Sequence, residues 1–292
     1  MKNILIIGGC GYIGSALFQT FADKHHVTTV DLEWFGNFNN PSNIKVDFGS
    51  LTSVFLDEFD VVILVAANSS VPLCADLFDT FDNNVTKFAH LVKRLKKQKF
   101  IYASSSCVYV TSDGSPKVET DPLGPIDGLT LTKTTIDGMM PLTHVEYYGL
   151  RLGSVAGWSP NMRLDLMVNA MTISGLYKHE VNVFNAHAHR PMLAMSDLCR
   201  AVETIVECPE DRRGIYNLAS VNHNIGDVGR KVADHLGVPL VDKGSNFTYD
   251  FQISSEKFKQ TFDFRFEGTV ENMSESIAAH PYNLTWKKRE SK

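Results

Sequence analysis

Apolar residues in the first half of the chain fall into short continuous runs, separated by longer stretches of helical period. Residues 4–7, 27–30, 44–47, 60–67, 99–104 and 144–152 read as strands, and the run at 4–7 is apolar throughout, as a strand buried on both faces must be. Between these runs, 15–21 reads as a helix, and 80–97 as a longer one with Phe81, Val85, Phe88, Leu91, Val92 and Leu95 at helical spacing. A basic cluster at 93–99 closes that helix and suits its carbonyl end. Strands alternating with helices predict an α/β fold, a doubly wound parallel sheet covered on both faces. From about Gly157 the rhythm changes. Residues 190–198 lead into a helix ending at Val206, 214–219 read as a short strand, and helices follow at 225–236 and 270–279. The expected division is a cofactor-binding sheet domain over residues 1–156 and a smaller, mainly substrate-binding lobe over 157–292, with some later segments returning to the sheet. Ser291 and Lys292 end a polar tail expected to fray.

Gly8, Gly11 and Gly14 crowd the turn between the first strand and the first helix, with Tyr12 and Ile13 among them. Without a Cβ in the way, backbone can approach a pyrophosphate, and the free N–H groups and dipole of the helix face its charge. Asp31 ends the second strand, where an acidic residue meets an adenosine ribose in a Rossmann-type fold. A carboxylate there accepts hydrogen bonds from a 2′-hydroxyl and repels a 2′-phosphate, so it favours NAD over NADP. A tight turn that holds no ligand is the competing explanation.

Composition narrows the field. The 292 residues are 43% hydrophobic and 21% charged, ordinary for a globular protein, and the net charge of -5 offers no attraction for nucleic acid or an anionic membrane. No run approaches the roughly 20 apolar residues needed to span a bilayer. The first residues are themselves a buried strand rather than a signal sequence. Cys10, Cys74, Cys107, Cys199 and Cys208 are scattered and odd in number, which fits neither a disulfide framework nor a zinc site. A reducing cytoplasmic setting and no bound metal are expected. His187 and His189 have no third ligand at a recognisable spacing, which leaves a pocket wall or a plain surface loop for them.

With these residues placed, the chain resembles the extended short-chain dehydrogenase/reductase family, in its NAD-dependent nucleotide-sugar epimerase and dehydratase group of the UDP-glucose 4-epimerase kind. The resemblance runs over nearly the whole length. It rests on the spacing Gly8-x-x-Gly11-x-x-Gly14, Asp31, Val46-Asp-Phe48, Leu64-Val-Ala-Ala67, Asn83-Asn-Val85, Ser104-Ser-Ser-Cys-Val-Tyr109, Lys133, Arg151, Arg190-Pro191 and Tyr216-Asn-Leu218. It implies NAD as cofactor and a nucleotide sugar as substrate. By that resemblance Asp47 and Phe48 bracket the adenine, Ala66 and Ala67 pass under the cofactor, and Asn84 meets it near the nicotinamide. Ser105 falls where the family bonds the reacting sugar oxygen, Lys133 where it binds the nicotinamide ribose, and Asn169 and Arg190 where it reaches the sugar-nucleotide pyrophosphate. Tyr109 is expected to pack at the strand end. The family's clamp on the nucleotide base has no recognisable counterpart before residue 254, so UDP, GDP and dTDP stay open. Family members pair through helices at 80–97 and 133–140. A homodimer is therefore implied, with Ile136, Met139 and Met140 offered equally to that contact and to the core.

One departure bears on the chemistry. The family carries Tyr-x-x-x-Lys on one helix, where the ammonium lowers the phenol pKa so that phenolate can take a hydroxyl proton. Four residues before Lys133 stands Leu129, and no tyrosine occurs between Tyr109 and Tyr147. Three readings follow. Proton transfer passes through Ser105, Cys107, Thr130, Thr132 or water; or the reaction is proton shuffling at a sugar carbon with Cys107 as acid or base; or the chain is a catalytically silent NAD- and sugar-nucleotide-binding protein. A 4,6-dehydratase is disfavoured, because Ser106 and Cys107 stand where that group has Asp and Glu, while Asp113 and Glu119 read as ordinary loop carboxylates.

Overall fold

The computed structural model describes residues 1–38, 40–109, 114–246 and 248–280; Asp113 and the polar tail lie outside them. Strands β1 (Asn3–Ile7), β2 (His26–Val30), β3 (Val61–Leu64), β4 (Lys99–Ser105), β5 (Tyr147–Leu152), β6 (Ser154–Ala156), β7 (Val181–Val183), β8 (His189–Ala194), β9 (Gly214–Leu218), β10 (Val221–Asn224) and β11 (Leu240–Asp242) are described. The helices are α1 (Tyr12–Phe21), α2 (Ser53–Leu56), α3 (Leu77–Phe81), α4 (Lys87–Arg94), α5 (Gly128–Met139), α6 (Met167–Lys178), α7 (Met195–Glu207), α8 (Ile225–Leu236), α9 (Glu256–Phe262) and α10 (Val270–Ala278).

The main sheet is parallel in the order β2-β1-β3-β4-β5-β9. Successive side chains of β1 point to opposite faces. Ile4 and Ile6 pack with Leu17 and Phe21 of α1 and Leu198 and Val202 of α7, while Leu5 and Ile7 pack with Phe88 and Leu91 of α4 and Ile136 of α5. Both faces are thus covered, which is why the strand is apolar from Ile4 to Ile7. The chain turns outward from β1 to β2 and then returns to the other side of β1 at β3. A crevice opens at the carboxyl ends there, the usual ligand position in such sheets.

Three elements differ from expectation. The strand at 44–47 reduces to one parallel bridge between Val30 and Ile44. Ile44 and Val46 are more than a third exposed, and Asp47 breaks the run by accepting from the Gly49 N–H at 2.8 Å to start a tight turn. The strand at 144–152 begins only at Tyr147, because the carbonyls of His144 and Val145 turn to the Arg213 guanidinium. The helix at 80–97 is three pieces, α3, a π-helical turn over Asp82–Thr86, and α4. The wide turn carries Asn83 and Asn84, in keeping with the frequent use of such turns at functional sites.

The later half serves both layers. β8 pairs with β6 and β10, β7 with β11, and α6, α8 and α10 pack around Val168, Val228, Val232 and Met273. Yet β9 is the last strand of the large sheet, and α7 packs on α1. Among the described residues no helix is long and apolar enough to cross a membrane.

A buried polar network ties β4, β5, β9 and α5 together below the crevice. Asp137 of α5 accepts from Arg151 Nε at 2.7 Å, Ser104 Oγ at 3.0 Å and Tyr102 Oη at 3.1 Å. Arg151 also donates to Tyr109 Oη at 2.6 Å, and that hydroxyl donates to Asn217 Oδ1 at 2.9 Å. The Tyr109 phenol therefore supports the strand end and does not face the crevice.

Candidate active site

The glycine loop is shaped by steric necessity. Gly8 has φ of +91°, and a Cβ there would lie 2.5 Å from the Ala66 nitrogen. A Cβ on Gly14 would lie 1.9 Å from the Gly8 carbonyl oxygen, and one on Gly9 would strike Thr29 at 2.5 Å. Gly9, which sequence reasoning passed over, is thus also kept small, by the Thr29 side chain rather than by backbone. α1 starts at Tyr12 with Gly11 as its cap and no side-chain acceptor, so its first N–H groups are left for a ligand.

Asp31 locks this loop to β2. Its Oδ2 accepts from the Cys10 N–H at 3.1 Å and its Oδ1 from the Glu33 N–H at 2.6 Å. Burial, with the charges of Asp31 and Glu33, pushes the Cys10 thiol up to about 12, so it stays protonated. Asp47 stands across the crevice mouth, paired with Lys87 at 2.7 Å. Against the upward push of burial, the Lys87 ammonium and the Gly49 N–H hold its carboxyl below the ordinary value.

A cavity of about 490 Å³ runs along the carboxyl ends of the sheet. Its walls include Gly8, Gly11, Tyr12, Ile13 and Gly14 from the loop, then Asp31, Asp47 and Phe48. Ala66 and Ala67 follow β3 into it, and Ser105, Cys107, Leu129, Lys133 and Arg190 complete it with Arg163 and Tyr249. Two expected members stand outside these walls. Asn84 is buried, accepting from the Asn68 N–H at 2.8 Å and donating to the Asn68 carbonyl and to Thr132 Oγ1. It braces the loop after β3, and its neighbour Asn83 lines the cavity instead. Asn169 is fully buried; its amide accepts from the Gly157 N–H and donates to Tyr12 Oη and the Arg163 carbonyl. It braces Tyr12 of α1 and the loop at Arg163, both on the cavity wall, from behind.

Other candidates are also reassigned. Thr130 and Thr132 are fully buried, their hydroxyls engaged with the Asp127 cap and with the Leu129 carbonyl and Asn84 respectively, and neither lines the cavity. His187 is exposed, and His189 faces Asp250 at 3.3 Å; neither lines the cavity. Ile136 and Met140 are 2% and 0% exposed and belong to the core beneath the sheet. Leu77, Phe78 and Phe81 of α3 and Leu131 of α5 are the exposed apolar residues of that face. Tyr249, Arg163 and Trp34, which also lines the cavity, went unnoticed in the sequence because each lies in a loop with no periodic signal.

Lys133 lies one helical turn after Leu129 and donates to the Ala103 carbonyl at 2.6 Å. Burial pushes its ammonium down to about 8, with Asp137 and Cys74 pulling the other way. The folded chain therefore releases this proton before the unfolded chain does. Between about pH 8 and the ordinary lysine value near 10.4 the unfolded state binds more protons, so stability rises with pH across that window. Relative to Lys133→Met, the wild type should gain about 2.5 kcal/mol between the two ends of that window. Urea unfolding at both pH values measures it, and parallel pH dependences would refute it.

Arg190 is held over the rings of Tyr249 at 5.3 Å and Phe251 at 5.5 Å. Its buried Nη1 has no partner among the described residues. An oriented guanidinium with an unused donor on a cavity wall fits an anionic ligand group.

Comparison with known proteins gives a consistent set of likenesses. The profile of the NAD dependent epimerase/dehydratase family matches residues 4–219. UDP-glucose 4-epimerase from Lactobacillus helveticus is 29% identical over 175 residues, 54% of this chain and 53% of that protein. UDP-glucose 4-epimerase 2 from Oryza sativa subsp. japonica is 29% identical over 170 residues, 47% of this chain and 39% of that protein. The chain thus matches about half the length, or less, of these curated relatives. UDP-glucuronic acid 4-epimerase from Bacillus cereus, solved with UDP-glucuronic acid and NAD, superposes with a TM-score of 0.83 at 20% identity, over 95% of this chain and 99% of that one. ADP-L-glycero-D-manno-heptose-6-epimerase from Helicobacter pylori gives 0.83 at 22% identity, over 96% of each chain. At such identities the structural likeness establishes the fold.

Proposed function

The chain belongs to the NAD-dependent epimerase/dehydratase family, and on that footing we propose that it binds NAD and a nucleotide sugar and acts on the sugar as an epimerase or oxidoreductase. The observation that carries this reading is one cavity shared by the glycine loop, Asp31, Ser105, Lys133 and Arg190. The loop fits the cofactor, since at Gly8 and Gly14 any side chain would collide with loop backbone and distort the anion cradle. In this reading the N–H groups of Tyr12 to Gly14, at the start of α1, receive the pyrophosphate, Asp31 the adenosine ribose, Asp47 and Phe48 the adenine, and Lys133 the nicotinamide ribose. Ala66 and Ala67 leave room for the cofactor to pass. Bound NAD supplies a hydride acceptor. The Ser105 hydroxyl orients the reacting sugar oxygen, and Arg190 takes phosphate oxygens with its unused donor. Cys107, whose N–H donates to Ser105 Oγ at 3.2 Å, is a neighbour with a second exchangeable proton.

Leu129 favours a second reading, in which the same cavity binds both ligands and performs no chemistry. Calorimetry with NAD, NADP, UDP-glucose and UDP-glucuronic acid, followed by NMR detection of sugar epimers, separates the two. The enzyme reading expects NAD at least about tenfold tighter than NADP, a difference of about 1.4 kcal/mol, and slow epimer formation. Tight binding with no turnover would establish the silent reading instead.

The exposed apolar strip on α3 and α5 supports a homodimer, because such patches on a monomer are uncommon unless they bind something. Phe78 is 84% exposed. Sedimentation should find a dimer for the wild type and a monomer for Phe78→Asp; an identical distribution for both would remove this face from the contact.

A further inference from the structure

Leu129 leaves the helix that carries Lys133 without a proton-exchanging group, yet a phenol reaches the same end of that helix from elsewhere. Tyr249 lies on the cavity wall with Ser105, Cys107, Leu129 and Lys133. Its hydroxyl donates to Oδ2 of Asp127, the residue capping α5 two positions before Leu129. The cap itself uses the other oxygen. Oδ1 of Asp127 accepts from the Thr130 N–H at 2.8 Å and from Thr130 Oγ1 at 2.9 Å. Capping therefore accounts for one oxygen and leaves the second to the phenol. The ring is fixed as well, with the Arg190 guanidinium over its face and Cys107 and Phe251 packed in the same cluster.

Resting on the function proposed above, we propose that Tyr249 and Asp127 together handle the substrate proton that a tyrosine at position 129 would otherwise handle. Burial and the adjoining Asp127 push the Tyr249 phenol up, so free phenolate is not the working form. A relay suits a neutral phenol better. As the sugar hydroxyl is oxidised, its O–H bond breaks and the proton passes to the Tyr249 oxygen. The phenol's own proton passes at the same time to Asp127 Oδ2. The electron pair of the broken O–H bond stays on the sugar oxygen and becomes the new carbonyl bond, while the hydride from carbon goes to the nicotinamide. Reduction on the other sugar face runs these transfers backwards, leaving Asp127 ionised again. The scheme differs from a lysine-activated phenolate in needing a carboxylate behind the phenol and none of the acidity that Lys133 would lend.

Two conservative variants of the full chain test it. Tyr249→Phe keeps the ring under Arg190, and Asp127→Asn keeps a capping oxygen. With NAD and UDP-glucose or UDP-glucuronic acid, each should lower kcat by about 100-fold or more, with KM and the dissociation constants of NAD and UDP nearly unchanged. A readout independent of turnover is the tyrosinate absorbance of the cofactor-free protein. In Asp127→Asn the phenol loses its charged neighbour while its burial remains, so one tyrosine should titrate at clearly lower pH than in the wild type, and that titration should vanish in the Asp127→Asn, Tyr249→Phe double variant. Variants within about threefold of wild-type kcat, or an unchanged titration in Asp127→Asn, overturn the proposal. A wild type inert toward both sugars overturns the enzyme reading and this relay together, whereas active variants overturn the relay alone.

Discussion

Replacing Asp137 by alanine is expected to lower the free energy of unfolding by about 3–5 kcal/mol, the usual cost of stranding one partner of a buried ion pair. Asp137 is 2% and Arg151 3% exposed, so neither charge reaches water. The substitution deletes the carboxylate that accepts from Arg151, Ser104 and Tyr102. What remains is a guanidinium held by the Tyr109 hydroxyl and the Glu119 carbonyl, neither of which carries a negative charge. Asp137→Asn should cost less, because an amide still accepts a hydrogen bond even though it cannot neutralise the arginine. Urea unfolding at neutral pH measures both. A loss below about 1 kcal/mol for the alanine variant, the scale of an ordinary hydrogen bond, would contradict the account. The network also sets the height of Ser104 and Ser105 at the end of β4, so its loss should loosen the floor of the cavity.

The second large effect is expected at the glycine loop. Gly14→Ala puts a methyl group where the Gly8 carbonyl oxygen stands, at 1.9 Å, and either the loop or the start of α1 must move. Overpacking of this kind costs about 1–3 kcal/mol of stability. The damage to NAD binding should be larger in relative terms, because the N–H groups at the start of α1, proposed above to hold the pyrophosphate, move with the backbone. We expect at least about a 100-fold weaker NAD dissociation constant, about 2.7 kcal/mol. Gly11→Ala is the internal control, since its Cβ would meet the Gly8 oxygen only at 3.3 Å. It should fold normally and lose less affinity. Calorimetry with NAD, alongside thermal unfolding without it, distinguishes the two effects. Wild-type affinity in Gly14→Ala would mean that the loop does not hold the cofactor.

What was legible in the sequence tracks how strongly physics restricts each position. A strand buried on both faces has to be apolar, so residues 4–7 declared β1. The stretch at 44–47 alternates apolar and polar residues, a pattern shared by a sheet edge and by a loop crossing one, and one bridge is the outcome. Helical spacing from 80 to 97 was correct for the buried Val85, Phe88, Leu91 and Val92 but not for the exposed Phe81, and spacing does not register the extra backbone width of the π turn at Asp82–Thr86. The cofactor loop was readable because its glycines are forced. Asn84 and Asn169 were not, because an amide satisfies itself as readily inward as toward a ligand. Tyr249 and Asp127 are separated by most of the second lobe in sequence, and no local pattern could have joined them.

The placement of β9 matters for how the chain is made as well as for how it works. β5 pairs on one side with β4 and on the other only with β9, through Tyr148 to Leu152 opposite Gly214 to Leu218. A nascent chain that has emerged only as far as residue 156 therefore carries an apolar strand with one bare edge. Such edges are templates for pairing with another chain. The lobe boundary is consequently a poor place to cut the gene. A fragment ending there should accumulate as aggregates, while one extended through α7 and β9 covers that edge with the strand that borders the sheet in the full fold.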